Sequence, residues 1–295
     1  MAATGRRSRR KSDWGDLLGP RLRWIIVAGI LVISMVPLLD MMLISITPED
    51  IAAGGGLAPR LSALSNYAEI WVQAQLLRGM VNSVIIAGGA AFVAVVVAFG
   101  AAYTISRTEF MGRHLILYGL LAAQSIPGAI ILFPLYIVLI SLQALLNVVV
   151  VGSYPAIVLT YTSFALPFAM WLLASYIATI PREVEEAAMA DGATRGQVLR
   201  HIIVPLAGPG AVVAFIFAFL LGWNDVLFAS VMTDNTTRTL AIALQIFNLG
   251  QESGGAIPEY AHLMAASIVS ALPVVILYLL FQRRLTGVLT LGAIK

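Results

Sequence analysis

The sequence predicts an all-α integral membrane protein with six transmembrane helices and both termini on the cytoplasmic side. Three observations lead there. Of the 295 residues, 60% are hydrophobic and only 11% charged, whereas soluble domains carry about 25% charged residues; most of the exterior must therefore face lipid. Six stretches, 24–46, 83–106, 115–140, 154–176, 206–232 and 263–282, reach the ~20 mostly apolar residues that a spanning helix needs. Finally, with the N-terminus inside, only Arg60, Arg78 and Arg238 of the 18 Lys and Arg residues fall in outer loops, and the opposite orientation would invert that bias.

Residues 1–23 form a basic cytoplasmic tail, of which the Arg-rich 1–12 read as disordered. The apolar stretch that follows exceeds the h-region of a secretory signal and lacks a clean small-residue cleavage site, so it reads as a retained first helix. The membrane domain covers 24–282, and 283–295 form a short cytoplasmic tail. The outer loop 47–82 holds the turn Gly54-Gly55-Gly56, then an interfacial helix over 66–77 with Tyr67, Ile70, Trp71 and Leu77 on it. The other long outer loop, 233–262, is polar and punctuated by Gly250, Gly254, Gly255 and Pro258.

Polar residues inside the spans are candidates for a translocation pathway. The third span contains Gln124-Ser125-Ile126-Pro127-Gly128 near mid-bilayer. Pro127 removes a helix hydrogen bond there, and a freed backbone group at that depth must be buried or face a cavity. A hinge, a pathway lining and a plain packing kink all satisfy that condition. The fourth span offers Tyr161, Thr162 and Ser163, and the fifth offers Asn224 and Asp225 beside Trp223. Hydroxyls in membrane helices also bond their own backbone, and an acid near the interface also reaches water.

Several function classes are excluded. Without cysteine there is no disulfide framework, thiolate metal site or cysteine nucleophile. Lys11 and Lys295 are the only lysines, so no internal Gly-Lys-Ser/Thr phosphate loop exists. Any nucleotide hydrolysis belongs to another chain. The net charge of +3 follows from topology signals, not nucleic-acid binding. His114, His201 and His262 lie at separate membrane edges and suggest no metal site. The helix centres carry neither the charges of an ion-coupled carrier acting alone nor the paired acids or histidines of an intramembrane enzyme.

One cytoplasmic loop stands apart. Residues 181–205 read PREVEEAAMADGATRGQVLRHIIVP. Pro181 suits a helix start, and Glu183, Glu185 and Glu186 favour the positive end of its dipole. Gly192 permits a sharp reversal. A second amphipathic stretch, 194–204, returns to the membrane, where Pro205 opens the fifth span. A helix lying on the bilayer would explain the helicity but not the glutamates, which anionic headgroups repel. An acidic knob with small Ala187, Ala188 and Ala190 suits docking to a protein.

Glu186-Ala187-Ala188, three residues, Gly192, nine residues, Ile202 and Pro205 resemble the EAA motif of ABC importer permeases; Val204 stands where that motif usually has Leu. Asn82-Ser83, Ala102-Tyr103, Phe164-Ala165-Leu166-Pro167, Gly222-Trp223-Asn224-Asp225 and the tail from Leu289 to Lys295 look like the maltose-type subunits of carbohydrate importers. The resemblance implies an importer-type permease core without enzyme activity, in the plasma membrane of a prokaryote. It implies a separate ATPase dimer holding ATP and magnesium, a related but distinct second permease subunit, an extracytoplasmic solute-binding protein, and no cofactor on this chain. The solute would be a sugar or oligosaccharide, with glycerol phosphate or another polar solute as the alternative. It assigns ATPase coupling to Glu185, Glu186, Ala187, Ala188, Asp191 and Gly192, and a second contact to Leu291, Gly292, Ala293, Ile294 and Lys295.

Overall fold

The computed structural model describes residues 19–73, 75–249 and 259–292, and among these no strand occurs. Helix α1, Pro20–Ser45, is the first of the long apolar helices. The loop after it folds into α2, Glu49–Ala53, a 3-10 turn, Leu61–Ser65, and α3, Asn66–Gln73. A left-handed residue, Gln75, separates α3 from α4, Leu76–Arg107. Next come α5, Arg113–Ala123, α6, Gly128–Leu146, and α7, Tyr154–Ile177. The hairpin of α8, Arg182–Ala190, and α9, Arg195–Leu206, leads to α10, Gly208–Asn224. Short α11, Leu227–Met232, and α12, Leu240–Asn248, precede α13, Tyr260–Gly292.

Five helices are long and apolar enough to cross a membrane, and a sixth span results when the bent pair α9–α10 is counted as one. At the centre lies α4, packed against α7 and α10. Ala87, Ala91, Ala94, Ala98 and Ala102 run down its buried side, and such small side chains allow backbones to approach closely in lipid. Gly222 of α10 meets this stripe, where a Cβ would lie 3.3 Å from the Ala87 Cα. By contrast, the apolar windows of α1 and α6 contain no buried residue.

The spans differ from the sequence expectation at several points. The third is not one helix over 115–140: it stops at Ala123 and restarts at Gly128, because Pro127 supplies no N–H and its fixed φ suits a first turn better than an interior. The fifth is opened by Pro209 in place of Pro205. A π-turn at Leu199–Ile203 precedes Pro205 in continuous helix, and the chain then bends by 71° between α9 and α10. That span also ends early, at Asn224, instead of running to 232. At the other ends, α4 begins before residue 83, and α13 runs past 282 to Gly292.

The 66–77 segment ends as a helix at Gln73 and is only partly interfacial. Its Ile70 is fully buried in the core, and Asn66 donates to the carbonyls of Ser45 and Thr47 at 3.0 and 3.2 Å. The expectations for residues 1–18, Gly250 to Pro258, and Ala293, Ile294 and Lys295 lie outside the described residues. Leu291 and Gly292 continue the backbone of α13.

Candidate functional site

Two features at the α8 end of the bundle and one in its middle carry chemistry. The first is the hairpin. Helix α8 ends in a Schellman motif: Ala193 N donates to Ala188 O and Gly192 N to Met189 O, both at 3.0 Å, with Gly192 at φ +91°. Helix α9 begins with a capping box, Thr194 N donating to Gln197 Oε1 at 2.8 Å and Gln197 N to Thr194 Oγ1 at 3.4 Å. Both ends of the tight turn are thus satisfied locally. Glu186, Ala187, Asp191 and Gly192 are exposed on the tip, and Ala188 is half-buried against the bundle.

Glu185 departs from the docking role the sequence suggests, because the structure turns it inward. It is 6% exposed. Arg107 Nε donates to its Oε1, and Tyr103 Oη donates to its Oε2 at 3.0 Å. Arg107 also donates from Nη2 to the carbonyl of Ile180 at 2.9 Å. In the sequence Arg107 reads only as a topology signal and Tyr103 only as part of the likeness at Ala102-Tyr103. The available signal was their spacing: four residues apart, they share one helix face.

In the middle, a cavity of 710 Å³ opens between α5, α6, α7, α10 and α11. Gln124, Tyr161, Ser163, Asn224 and Asp225 line it, brought together from three separate spans. Gln124 Nε2 donates to Phe164 O at 2.7 Å, tying the broken third span to α7. Tyr161 Oη donates to Asp225 Oδ2 at 2.7 Å, and the N–H groups of Phe228 and Ala229 donate to the same oxygen at 3.0 Å. Asp225 therefore caps α11 and explains why the fifth span stops where it does. Among the described residues no group of side chains is arranged to hold a metal ion.

Three pathway candidates fall elsewhere. Thr162 is buried at the α4–α7 contact, donating to Ala90 O at 3.3 Å, because its helical position faces α4 instead of the cavity. Ser125 and Pro127 are exposed in the break between α5 and α6 but do not line the cavity.

At the opposite end, Asn82 and Ser83 clamp the loop after α11. Asn82 Nδ2 donates to Thr236 O at 2.9 Å and to Arg238 O at 2.8 Å, and its Oδ1 accepts from Tyr154 Oη at 2.7 Å. Ser83 Oγ accepts from Leu240 N at 2.8 Å. Within that loop the Thr236 hydroxyl, 2.6 Å from Asp234 Oδ1, and the N–H groups of Thr236 and Thr237 hold the Asp234 carboxyl down from 3.8 to about 2. His262 joins the same end together: its Nε2 lies 3.0 Å from Glu69 Oε2, and its Nδ1 lies 3.1 Å from Glu259 Oε2 and 3.3 Å from Glu49 Oε2. Nothing in the sequence marked that cluster.

A pH prediction follows from the depressed carboxyl. Ionised Asp234 stabilises the turn fully above the ordinary carboxylate range, and that contribution falls away progressively from 3.8 downward and is gone below about 2. Asp234→Asn should therefore destabilise the turn at neutral pH while flattening its acid response. Amide exchange of Thr236 and Thr237 in the variant, relative to the parent at each pH from 6 to 2, checks this; an unchanged exchange pattern in the variant contradicts it.

Residues 94–287 match the family described as binding-protein-dependent transport system inner membrane component. The chain is 32% identical to the trehalose transport system permease protein of Mycobacterium tuberculosis, over 89% of this chain and 93% of that protein. It is 33% identical to the trehalose/maltose transport system permease protein of Thermococcus litoralis, over 92% and 96%. Its fold matches a chain in the crystal structure of a bacterial ABC transporter involved in the import of the acidic polysaccharide alginate, with a TM-score of 0.72 and 18% identity, covering 95% of this chain and 99% of the other. The many-span helical bundle, its helical hairpin and these likenesses together place the chain in the family of inner membrane components of binding-protein-dependent transport systems.

Proposed function

We propose that this chain forms half of the translocation pathway of a carbohydrate importer and takes its energy from a separate ATPase through the α8–α9 hairpin. As a permease component it is not itself an enzyme. The observation that carries the coupling role is the exposed, small and acidic tip of Glu186, Ala187, Asp191 and Gly192, set on a turn whose own backbone groups are satisfied. A tip of this kind offers charge and close approach to a partner protein and little to a lipid surface.

In this reading the basic α8 end faces the cytoplasm, and an ATPase dimer holding ATP and magnesium receives the hairpin. The residues Leu291 to Lys295 supply a second contact. A solute-binding protein meets the opposite end, and a related second permease subunit completes the pathway. The cavity with Gln124, Tyr161, Ser163, Asn224 and Asp225 offers hydroxyl, amide and carboxylate groups beside an aromatic ring, which suits a sugar. Names of relatives point the same way: trehalose and maltose are the solutes of the two proteins compared above.

Purification from native membranes, with identification of the co-purifying chains, tests the assembly. ATP hydrolysis by that complex should then rise when its binding protein is supplied with trehalose or maltose. Stimulation by glycerol phosphate and not by sugars would replace the solute. Transport by this chain alone in vesicles would overturn the reading.

A further inference from the structure

We propose that α4 is the rod that carries motion from the hairpin to the loop at the opposite end, and that Tyr103, Arg107 and Glu185 are its ionic joint. The inference rests on the coupling reading above. Its first support is the continuity of α4. Helices α1, α6, α7 and α13 contain Pro37, Pro134, Pro167 and Pro273, and the third and fifth spans are broken. Among the described spans α4 alone has neither a proline nor a break over its 32 residues. Helices bend sharply at prolines and breaks; α4 holds Gly88, Gly89 and Gly100 between its two ends yet runs as one uninterrupted helix, so it is the continuous path between the two ends.

Its second support is what lies at each end. At one, a single buried carboxylate from α8 accepts from two donors one helical turn apart on α4, Tyr103 and Arg107. Two bonds along the α4 axis fix the roll of α8 as well as its distance, so α8 cannot turn without carrying α4. A buried ion pair is a poor source of net stability compared with apolar packing, which leaves specification of geometry as its use. At the other end, about 38 Å away at 1.5 Å per residue, Asn82 and Ser83 grip the backbone of Thr236, Arg238 and Leu240. Side-chain packing alone would let the loop slide; three hydrogen bonds to main-chain groups do not. Tyr103, Arg107 and Glu185 are thus positioning residues, acting through α4.

The absence of cysteine makes the test direct. Asn235→Cys, on the exposed turn gripped by Asn82, reports the opposite end by its rate of maleimide labelling in the purified complex. MgATP with vanadate should change that rate at least about fivefold, the lower edge of ordinary coupling between sites. Adding Glu185→Gln should abolish the change while the ATPase subunit still co-purifies, and the exchange Arg107→Glu with Glu185→Arg should restore part of it. Tyr103→Phe, which removes one hydroxyl, should leave an intermediate response and decides the question if Glu185→Gln fails to insert. A full response in Glu185→Gln, or in Tyr103→Phe when that variant decides, overturns the proposal. So does loss of the ATPase from Glu185→Gln, which would make Glu185 a docking residue. Absence of any ATPase from the parent complex would instead defeat the coupling reading itself.

Discussion

Replacing Glu186 by lysine, or Gly192 by aspartate, is expected to abolish transport while the chain still inserts and folds. The two substitutions act differently. Glu186 is exposed on α8, so reversing its charge costs the isolated chain little, yet it removes the anionic contact offered to a partner. Loss of one member of a desolvated charge pair costs about 2–5 kcal/mol at an interface, which is at least about thirtyfold in affinity. A Cβ added at Gly192 would meet nothing within 4 Å, but the φ of +91° there is a conformation that L-residues rarely adopt. Aspartate at this position strains the reversal by roughly 1–2 kcal/mol and puts a second carboxylate beside Asp191. Uptake in cells, measured against the amount of chain in the membrane, checks both. Normal uptake by either variant would remove the hairpin from the coupling path.

Gly210→Val should lower the folded yield more than any surface change. A Cβ at Gly210 would lie 2.8 Å from Cγ of Tyr176 and 3.1 Å from its Cβ, the rigid base of a ring at the end of α7. Overpacking of this sort costs about 1–3 kcal/mol even when neighbours shift, and valine adds two methyl groups beyond that Cβ. The site lies at the two roots of the hairpin, the end of α7 and the start of α10, so the strain also spreads the base on which α8 stands. Gly208→Ala is the control, since nothing lies within 4 Å of a Cβ added there. The melting temperature in detergent should fall for Gly210→Val and hold for Gly208→Ala; equal melting of both would show that Tyr176 can move aside.

Much of this was legible in the residues themselves. Hydropathy located the spans because each needs an apolar run that is visible without knowledge of neighbours, whereas the breaks in the third and fifth were not visible in this way. The reversal at Gly192 was legible because left-handed backbone selects glycine. Less legible was anything set by contact across the chain. Glu185 and Glu186 are adjacent and chemically alike, and only the approach of Tyr103 and Arg107 turns one inward and leaves the other outside. Tyr161 and Thr162 are adjacent too, and the rotation of α7 sends one to the cavity and the other to α4. The choice between Pro205 and Pro209 as the opening of the fifth span depended on a π-turn that absorbs the first of them. Of the carboxylates gathered at His262, Glu259 stands three residues before it, but Glu49 and Glu69 come from distant segments that spacing could not have announced.

The bareness of α6 has a consequence for this polypeptide on its own in lipid. Purely apolar flanks rest in lipid without penalty, but beside α6 the open cavity carries Gln124, Asn224 and Asp225. A polar group left facing hydrocarbon costs several kcal/mol. Gln124, Asn224 and Asp225 limit that cost by bonding within the chain, and the proposed second subunit would remove the rest by covering α6. A copy lacking that cover is expected to be the shorter-lived one, which a pulse-chase of the chain expressed alone and with its co-purifying chains would measure.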